Sequence, residues 1–246
     1  MLLALTEADL RARYGRGPWR FAKWLLDPFA LVGVYLVLVA VVLDRPGQAP
    51  GLSLACAVVP FQLLMATVVS SLASIDDRRS IVANMAFPRI LIPLAATLTE
   101  SVAFGASLLL LAGMMAIYGV PPTGAIAWLP VVLAVNVVLA AAAAYPASLA
   151  GVWVRDLRPF LVSFVRTLFF LAPGLVALQQ IHGSTQQLIR LNPLTAVFES
   201  YRAVLLHGSG PPVWEILYPL AVAAAIAAVF VPLYRREQHH IAKVVE

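Results

Sequence analysis

Long apolar runs separated by short polar interruptions organise this chain, and the runs do not alternate residue by residue as half-buried strands would. Six of them read as helical membrane spans: 25–43, 52–73, 90–118, 126–154, 160–177 and 213–234. A span needs roughly 20 residues to cross about 30 Å of hydrocarbon, so the third and fourth must tilt, kink or project from the bilayer. Residues 178–212 are too polar to cross. Within them Leu194, Val197, Phe198, Tyr201, Val204 and Leu205 recur at helical spacing. That pattern predicts a helical hairpin that re-enters the membrane where protein or water shields its ends, and Gly208-Ser209-Gly210-Pro211-Pro212 closes it.

Ahead of the first span, residues 1–24 set Leu2, Leu3, Leu5 and Leu10 before Arg11, Arg13, Arg16, Arg20 and Lys23, with Trp19, Phe21 and Trp24 interleaved. Basic and aromatic residues together favour the headgroup layer, which predicts an amphipathic interfacial helix broken near Gly15–Pro18; a disordered basic tail is the alternative. The expected architecture is an all-α integral membrane domain over 1–246: an interfacial helix (1–24), five spans (25–177), an outer re-entrant hairpin (178–212), a sixth span (213–234) and a tail (235–246).

Between the second and third spans lies a polar island, residues 74–89, with Asp76, Asp77, Arg78, Arg79 and Arg89. Those charges are expensive in lipid, so the island belongs in water at a membrane face. Ser80 can cap a short helix carrying Ile81, Val82 and Met85, with Pro88 stopping it. Taken alone, the segment fits either a solvated turn or a docking helix for a partner.

Composition agrees with the span pattern. Of 246 residues, 61% are apolar and 12% charged, whereas soluble domains average roughly 45–50% and about 25%. The net charge of +5 does not point to nucleic acid, because the basic residues gather in alternate loops. Arg11, Arg13, Arg16, Arg20 and Lys23, then Arg78, Arg79 and Arg89, then Arg155 and Arg158, then Arg235, Arg236 and Lys243 make up most of the 17 lysines and arginines. By the positive-inside rule both termini are cytoplasmic, the first span is an uncleaved anchor, and residues 178–212 face outward.

Catalytic signatures are scarce. No Gly-x-x-x-x-Gly-Lys-Ser/Thr phosphate loop occurs, and His182, His207, His239 and His240 divide between opposite sides of the membrane, so no metal set is expected. The single Cys56 precludes an internal disulfide. Glu100 and Arg166 fall inside spans, about 16 Å and about 12 Å from the cytoplasmic side at 1.5 Å per residue. Buried charges need partners, so a structural Glu100–Arg166 pair is expected; a snorkelling arginine and a functional site are the alternatives.

Four stretches in order carry a family resemblance. They are Asp9–Tyr14 with Trp24-Leu25-Leu26-Asp27-Pro28; Asn84 with Phe87-Pro88-Arg89; Arg155-Asp156-Leu157-Arg158-Pro159 followed by Phe169-Phe170-Leu171-Ala172-Pro173; and Leu191-Asn192-Pro193-Leu194-Thr195 with Glu199 and Arg202. On these the chain resembles the membrane subunit of type-2 ABC exporters, particularly the permeases for O-antigen, capsule or teichoic-acid polymers. Asp27 stands where that family commonly has Asn.

The resemblance implies a homodimer in the bacterial cytoplasmic membrane, with two separate ATP-binding cassette subunits that carry ATP and Mg and a lipid-linked glycan as cargo. It implies no covalent chemistry on this chain. It assigns ATPase coupling to Arg78, Arg79, Asn84, Met85 and Phe87, with Met85 and Phe87 as apolar anchors and the arginines as rim charges. It places Tyr35, Phe61, Phe164, Phe169 and Phe170 along a path lined by spans one, two and five. Asn192, Pro193, Glu199 and Arg202 fall in an outer gate. An export permease for a drug or small lipid and an intramembrane glycan-lipid enzyme are the rival readings.

Overall fold

A computed structural model describes residues 2–14, 26, 29–30, 33–34, 37, 49–78, 88–154, 156, 158–174 and 184–245. Among them the protein is all-α, with no strand. The helices are α1 (Leu2–Tyr14), α2 (Pro50–Ala73), α3 (Leu91–Ile117), α4 (Leu129–Trp153, led by a 3-10 turn at Gly124–Trp128), α5 (Arg158–Leu171), α6 (Ser184–Arg190), α7 (Pro193–Leu205) and α8 (Val213–Val245). Four segments are long and apolar enough to cross a membrane: α2, α3, Gly124–Trp153 and Val213–Gln238. The chain is therefore a multi-pass helical membrane protein. The expected first span, 25–43, lies largely outside the described residues.

Local chemistry explains where the helices begin and end. Pro50 and Pro130 occupy the first turns of α2 and α4, where a missing N–H costs nothing. Asn192 caps α7 by accepting from Leu194 N at 3.0 Å, with Pro193 opening the helix. Gly208, at φ 63°, closes the C-terminal side of α7, where the Leu206 and His207 amides both donate to Arg202 O.

α2 is the central post. Leu52, Leu54, Ala55, Cys56, Val58, Val59 and Leu63 on it are almost wholly buried, and α3, α4, α5 and α7 all pack against it. α2 and α4 approach closely at Gly151, where a Cβ would sit 2.1 Å from Leu72 O. Only glycine permits that backbone approach. A satellite cluster at the same end joins Ile75, Ile92, Tyr145, Leu149 and Tyr234, with Tyr145 edge-on to Tyr234 at 5.6 Å.

Two lengths differ from the sequence reading. The described helix α5 has 14 residues, about 21 Å at 1.5 Å per residue, and residues 175–177 of the expected fifth span lie outside the described residues. Its chain turns at Ala172-Pro173-Gly174, with Gly174 N donating to Ala172 O at 2.7 Å. A proline ring inside the next turn would clash with the carbonyl four residues earlier, so Pro173 does not extend the helix. In contrast, α8 runs for 33 residues, about 50 Å by the same rise, and carries the expected tail as continued helix.

Candidate functional site

Bonded clusters sit at the two ends of α2. At its C-terminal end three arginines join segments distant in sequence. Arg78, whose side chain is buried, donates to Ser74 O at 3.0 Å and pairs with Asp9 of α1. The Thr99 hydroxyl of α3 approaches the same Asp9 oxygen at 3.4 Å. Arg158, opening α5, meets Asp76 at 2.5 Å and also donates to Gly151 O at 2.8 Å. Arg89 donates to Gln238 O of α8 at 2.7 Å. The end of the bundle is thereby tied by guanidinium groups across α1, the turn after α2, the α4–α5 junction and α8.

Charge and burial rank these ties. Asp76 and Arg158 are both part-exposed, so their pair stabilises by about 0–1 kcal/mol. Arg78 is far less accessible to water, and removing Asp9 would leave its guanidinium buried without a counter-charge. The sequence reading sets Arg78 on the rim of a partner groove. The structure turns it inward instead, because Asp9, Thr99 and Ser74 O converge there. Arg79, Asn84, Met85 and Phe87 lie outside the described residues.

At the other end of α2 the ties converge on α7. Every residue from Leu194 to Leu205 is buried. A helix enclosed on all sides must satisfy its charged groups internally, and this one does. Arg202 Nη1 meets Glu199 at 2.7 Å with both side chains buried. Arg202 Nε donates to Ser53 O and Oγ at 3.2 and 3.1 Å, and Nη2 to Gly174 O at 3.4 Å. One guanidinium therefore binds α7 to the start of α2 and to the chain leaving α5. Asn192, besides capping α7, donates from Nδ2 to Leu168 O at 2.7 Å. Ser200 Oγ lies 3.4 Å from Glu215 of α8, and Arg190 stacks over Trp214 at 5.7 Å. Burial holds the Tyr201 phenol above its ordinary range, so it stays neutral at physiological pH.

The aromatic candidates divide. Phe61 and Phe169 are core side chains, with ring centroids 4.7 Å apart, and Phe198 of α7 packs on Phe169 at 5.8 Å. They brace α7 rather than form a wall, because α2, α5 and α7 close over them. Phe164 and Phe170 are exposed on α5. Tyr35 lies outside the described residues. The structure does not bring Glu100 and Arg166 together: Glu100 is buried in α3 and engaged there, while Arg166 is exposed on α5.

Several structural partners are missing from the sequence-derived candidates. Asp9, Asp76 and Arg158 are visible as charges, but nothing in the order of residues says which opposite charge each meets. Ser53, Thr99 and Gln238 act through a hydroxyl or a backbone carbonyl and carry no signal in sequence. Among the described residues, no three His, Cys, Asp or Glu side chains converge as a metal site would require.

The arrangement is that of a helical membrane protein whose polar groups are used to lock helices to one another. Comparison with known proteins narrows the class. No protein-family model matches the chain. The chain is distantly related to O-antigen export system permease proteins named RfbA. One from Myxococcus xanthus is 26% identical over 232 residues, covering 93% of this chain and 87% of that protein. Two from Klebsiella pneumoniae are 23% and 22% identical, each covering 85% of this chain and 81% of the relative.

Proposed function

We propose that the chain is the permease subunit of an ABC transporter that exports a lipid-linked polysaccharide, such as O-antigen, capsule or teichoic-acid polymer, across the bacterial cytoplasmic membrane. The observation that carries this reading is the alignment with an O-antigen export permease over 93% of the chain. The helical membrane fold supports it; residues 1–246 carry no phosphate loop, and the reading assigns ATP hydrolysis to a separate subunit.

On this reading the arginine-tied end of the bundle is cytoplasmic, in keeping with the asymmetry of basic residues. Two ATP-binding subunits, holding ATP and Mg, dock on residues 74–89 of a permease dimer. Met85 and Phe87 serve as the apolar anchors, with Asn84 and the rim charge Arg79 in the same coupling segment of the sequence. Arg78 acts one step inward, holding α1 to the turn that receives the push. The α6–α7 hairpin, with Asn192, Pro193, Glu199 and Arg202, is the outer gate. Closure of the ATPases shifts the turn after α2, and α2 carries that motion to Ser53 and so to Arg202. Packed helices transmit such shifts because close-packed interiors resist compression.

The test is to purify the chain with and without its co-encoded ATP-binding subunit. A stable complex, with ATP hydrolysis altered by the permease, is expected. Hydrolysis unaffected by the permease, with no complex, would sink the reading. In such a complex Phe87→Ala or Met85→Ala should uncouple hydrolysis from export while leaving membrane insertion intact.

A further inference from the structure

Arg166 is a feature of α5 that the packing leaves unexplained. Ser163, Arg166, Thr167 and Phe170 follow one another at i, i+3, i+4 and i+7, so they share a single stripe of the helix, and all four are exposed. Phe160 and Phe164 flank that stripe and are also exposed. The opposite face, with Val165 and Phe169, is buried against the bundle.

An exposed guanidinium eight residues along from Arg158 lies about 12 Å deeper along the helix axis. The expected fifth span, 160–177, sets Arg166 within the membrane, where a cation requires water or a counter-charge. Among the described residues no hydrogen bond or ion pair engages Arg166, and Thr167 directs its hydroxyl back to Ser163 O at 2.9 Å. The acids on the other described apolar segments, Glu100, Glu199 and Glu215, are all buried, at 4%, 4% and 6% exposure. A second copy therefore offers no exposed carboxylate from these segments. A two-fold interface centred on the stripe would also set Arg166 against its own copy. Among the described residues no carboxylate of this chain meets Arg166, which leaves the site open to an anion on another molecule.

We propose that Arg166 is an anion-binding residue for the phosphoryl group that joins the transported glycan to its lipid, with Ser163 and Thr167 beside it and Phe164 and Phe170 giving apolar surface on either side. The chemistry fits. The planar guanidinium matches two phosphate oxygens at once, which a lysine ammonium does not. A lipid-linked glycan presents a diphosphate or phosphate between an apolar chain and a sugar, and the stripe presents a cation among aromatic faces. This assignment rests on the export reading and adds to it the chemical group that the path recognises.

The experiment uses the full-length chain in phosphatidylcholine nanodiscs, with farnesyl diphosphate as the probe and farnesol and inorganic pyrophosphate as comparison ligands. Farnesyl diphosphate should bind tighter than farnesol by about tenfold or more, equivalent to about 1.4 kcal/mol. Arg166→Ala should abolish that difference and Arg166→Lys should restore part of it. Arg236→Ala, which removes an exposed charge on α8, should leave it unchanged. Because Arg166 is exposed and unbonded among the described residues, its variants should keep the wild-type elution profile and helicity.

Equal binding of farnesyl diphosphate by the wild type and Arg166→Ala would overturn the proposal. So would inorganic pyrophosphate binding as tightly as farnesyl diphosphate, which would make the site one for a free anion. Loss of binding when phosphatidylglycerol is added to the nanodisc would overturn it too, because Arg166 would then be a headgroup anchor. Failure here with an intact ATPase complex removes only the Arg166 assignment, whereas failure of that complex removes the export reading and leaves this binding measurement standing.

Discussion

Asn192 Nδ2 donates to Leu168 O at 2.7 Å while its Oδ1 accepts from Leu194 N at 3.0 Å, so one side chain caps α7 and ties it to the end of α5. The two bonds are separable. Asn192→Asp keeps the acceptor and loses the donor, and Asn192→Ala loses both. The alanine variant should lose about 1 kcal/mol for the cap and about 1 kcal/mol for the tie, because Leu168 O keeps its bond from Ala172 N. Hydrogen exchange separates them: Asn192→Asp should leave the first turn of α7 protected and loosen the end of α5. Equal loosening of both helices in the two variants would show that the tie has no separate role.

The buried Glu199–Arg202 pair should behave differently from a surface pair. Breaking it by Glu199→Ala leaves the Arg202 guanidinium buried without its carboxylate and should cost about 3–5 kcal/mol, read as a large fall in the midpoint of unfolding in detergent. Replacing both charges with apolar side chains of similar volume, Arg202→Met together with Glu199→Leu, should recover much of that loss. Additive losses in the double variant would mean that the two residues do not act as a pair.

Gly151 is a steric requirement. Gly151→Ala drives a Cβ into Leu72 O, so α2 and α4 must separate near their tied ends. The expected cost is about 1–3 kcal/mol, the range for overpacking. A variant as stable as the wild type would show that the two backbones do not approach so closely.

Much of the helical framework is legible in sequence because its signal is long and local. The apolar pattern predicts the second span at 52–73 and the helix occupies Pro50–Ala73; it predicts the third at 90–118 and the helix occupies Leu91–Ile117. Asn192-Pro193 marks the start of α7 because cap and first-turn preferences act within three residues. What stays hidden depends on distance in space. Nothing in sequence turns Arg78 toward Asp9 rather than toward solvent. Nothing separates Phe169, which is enclosed by α2 and α7, from its exposed neighbour Phe170. The apolar pattern carries the fifth span through the turn at Ala172-Pro173-Gly174, where Pro173 interrupts the helix; residues 175–177 of that span lie outside the described residues.

The Arg78–Asp9 tie predicts how α1 is held. Asp9→Asn or Arg78→Ala should release α1, so that amides in residues 2–14 exchange faster while α2 and α4 keep their protection. The exchange of charges, Asp9→Arg with Arg78→Asp, should restore part of the protection. Asp76→Ala should change stability by less than about 1 kcal/mol, because its pair with Arg158 is part-exposed. If Asp76→Ala destabilised the protein more than Arg78→Ala, the ranking by burial would be wrong.

The export reading is tested most directly by where a lipid-linked glycan accumulates when the gene is deleted. Glycan should build up on the cytoplasmic face and disappear from the surface, and the wild-type chain should restore export. Unchanged surface glycan, with none trapped inside, would contradict the account.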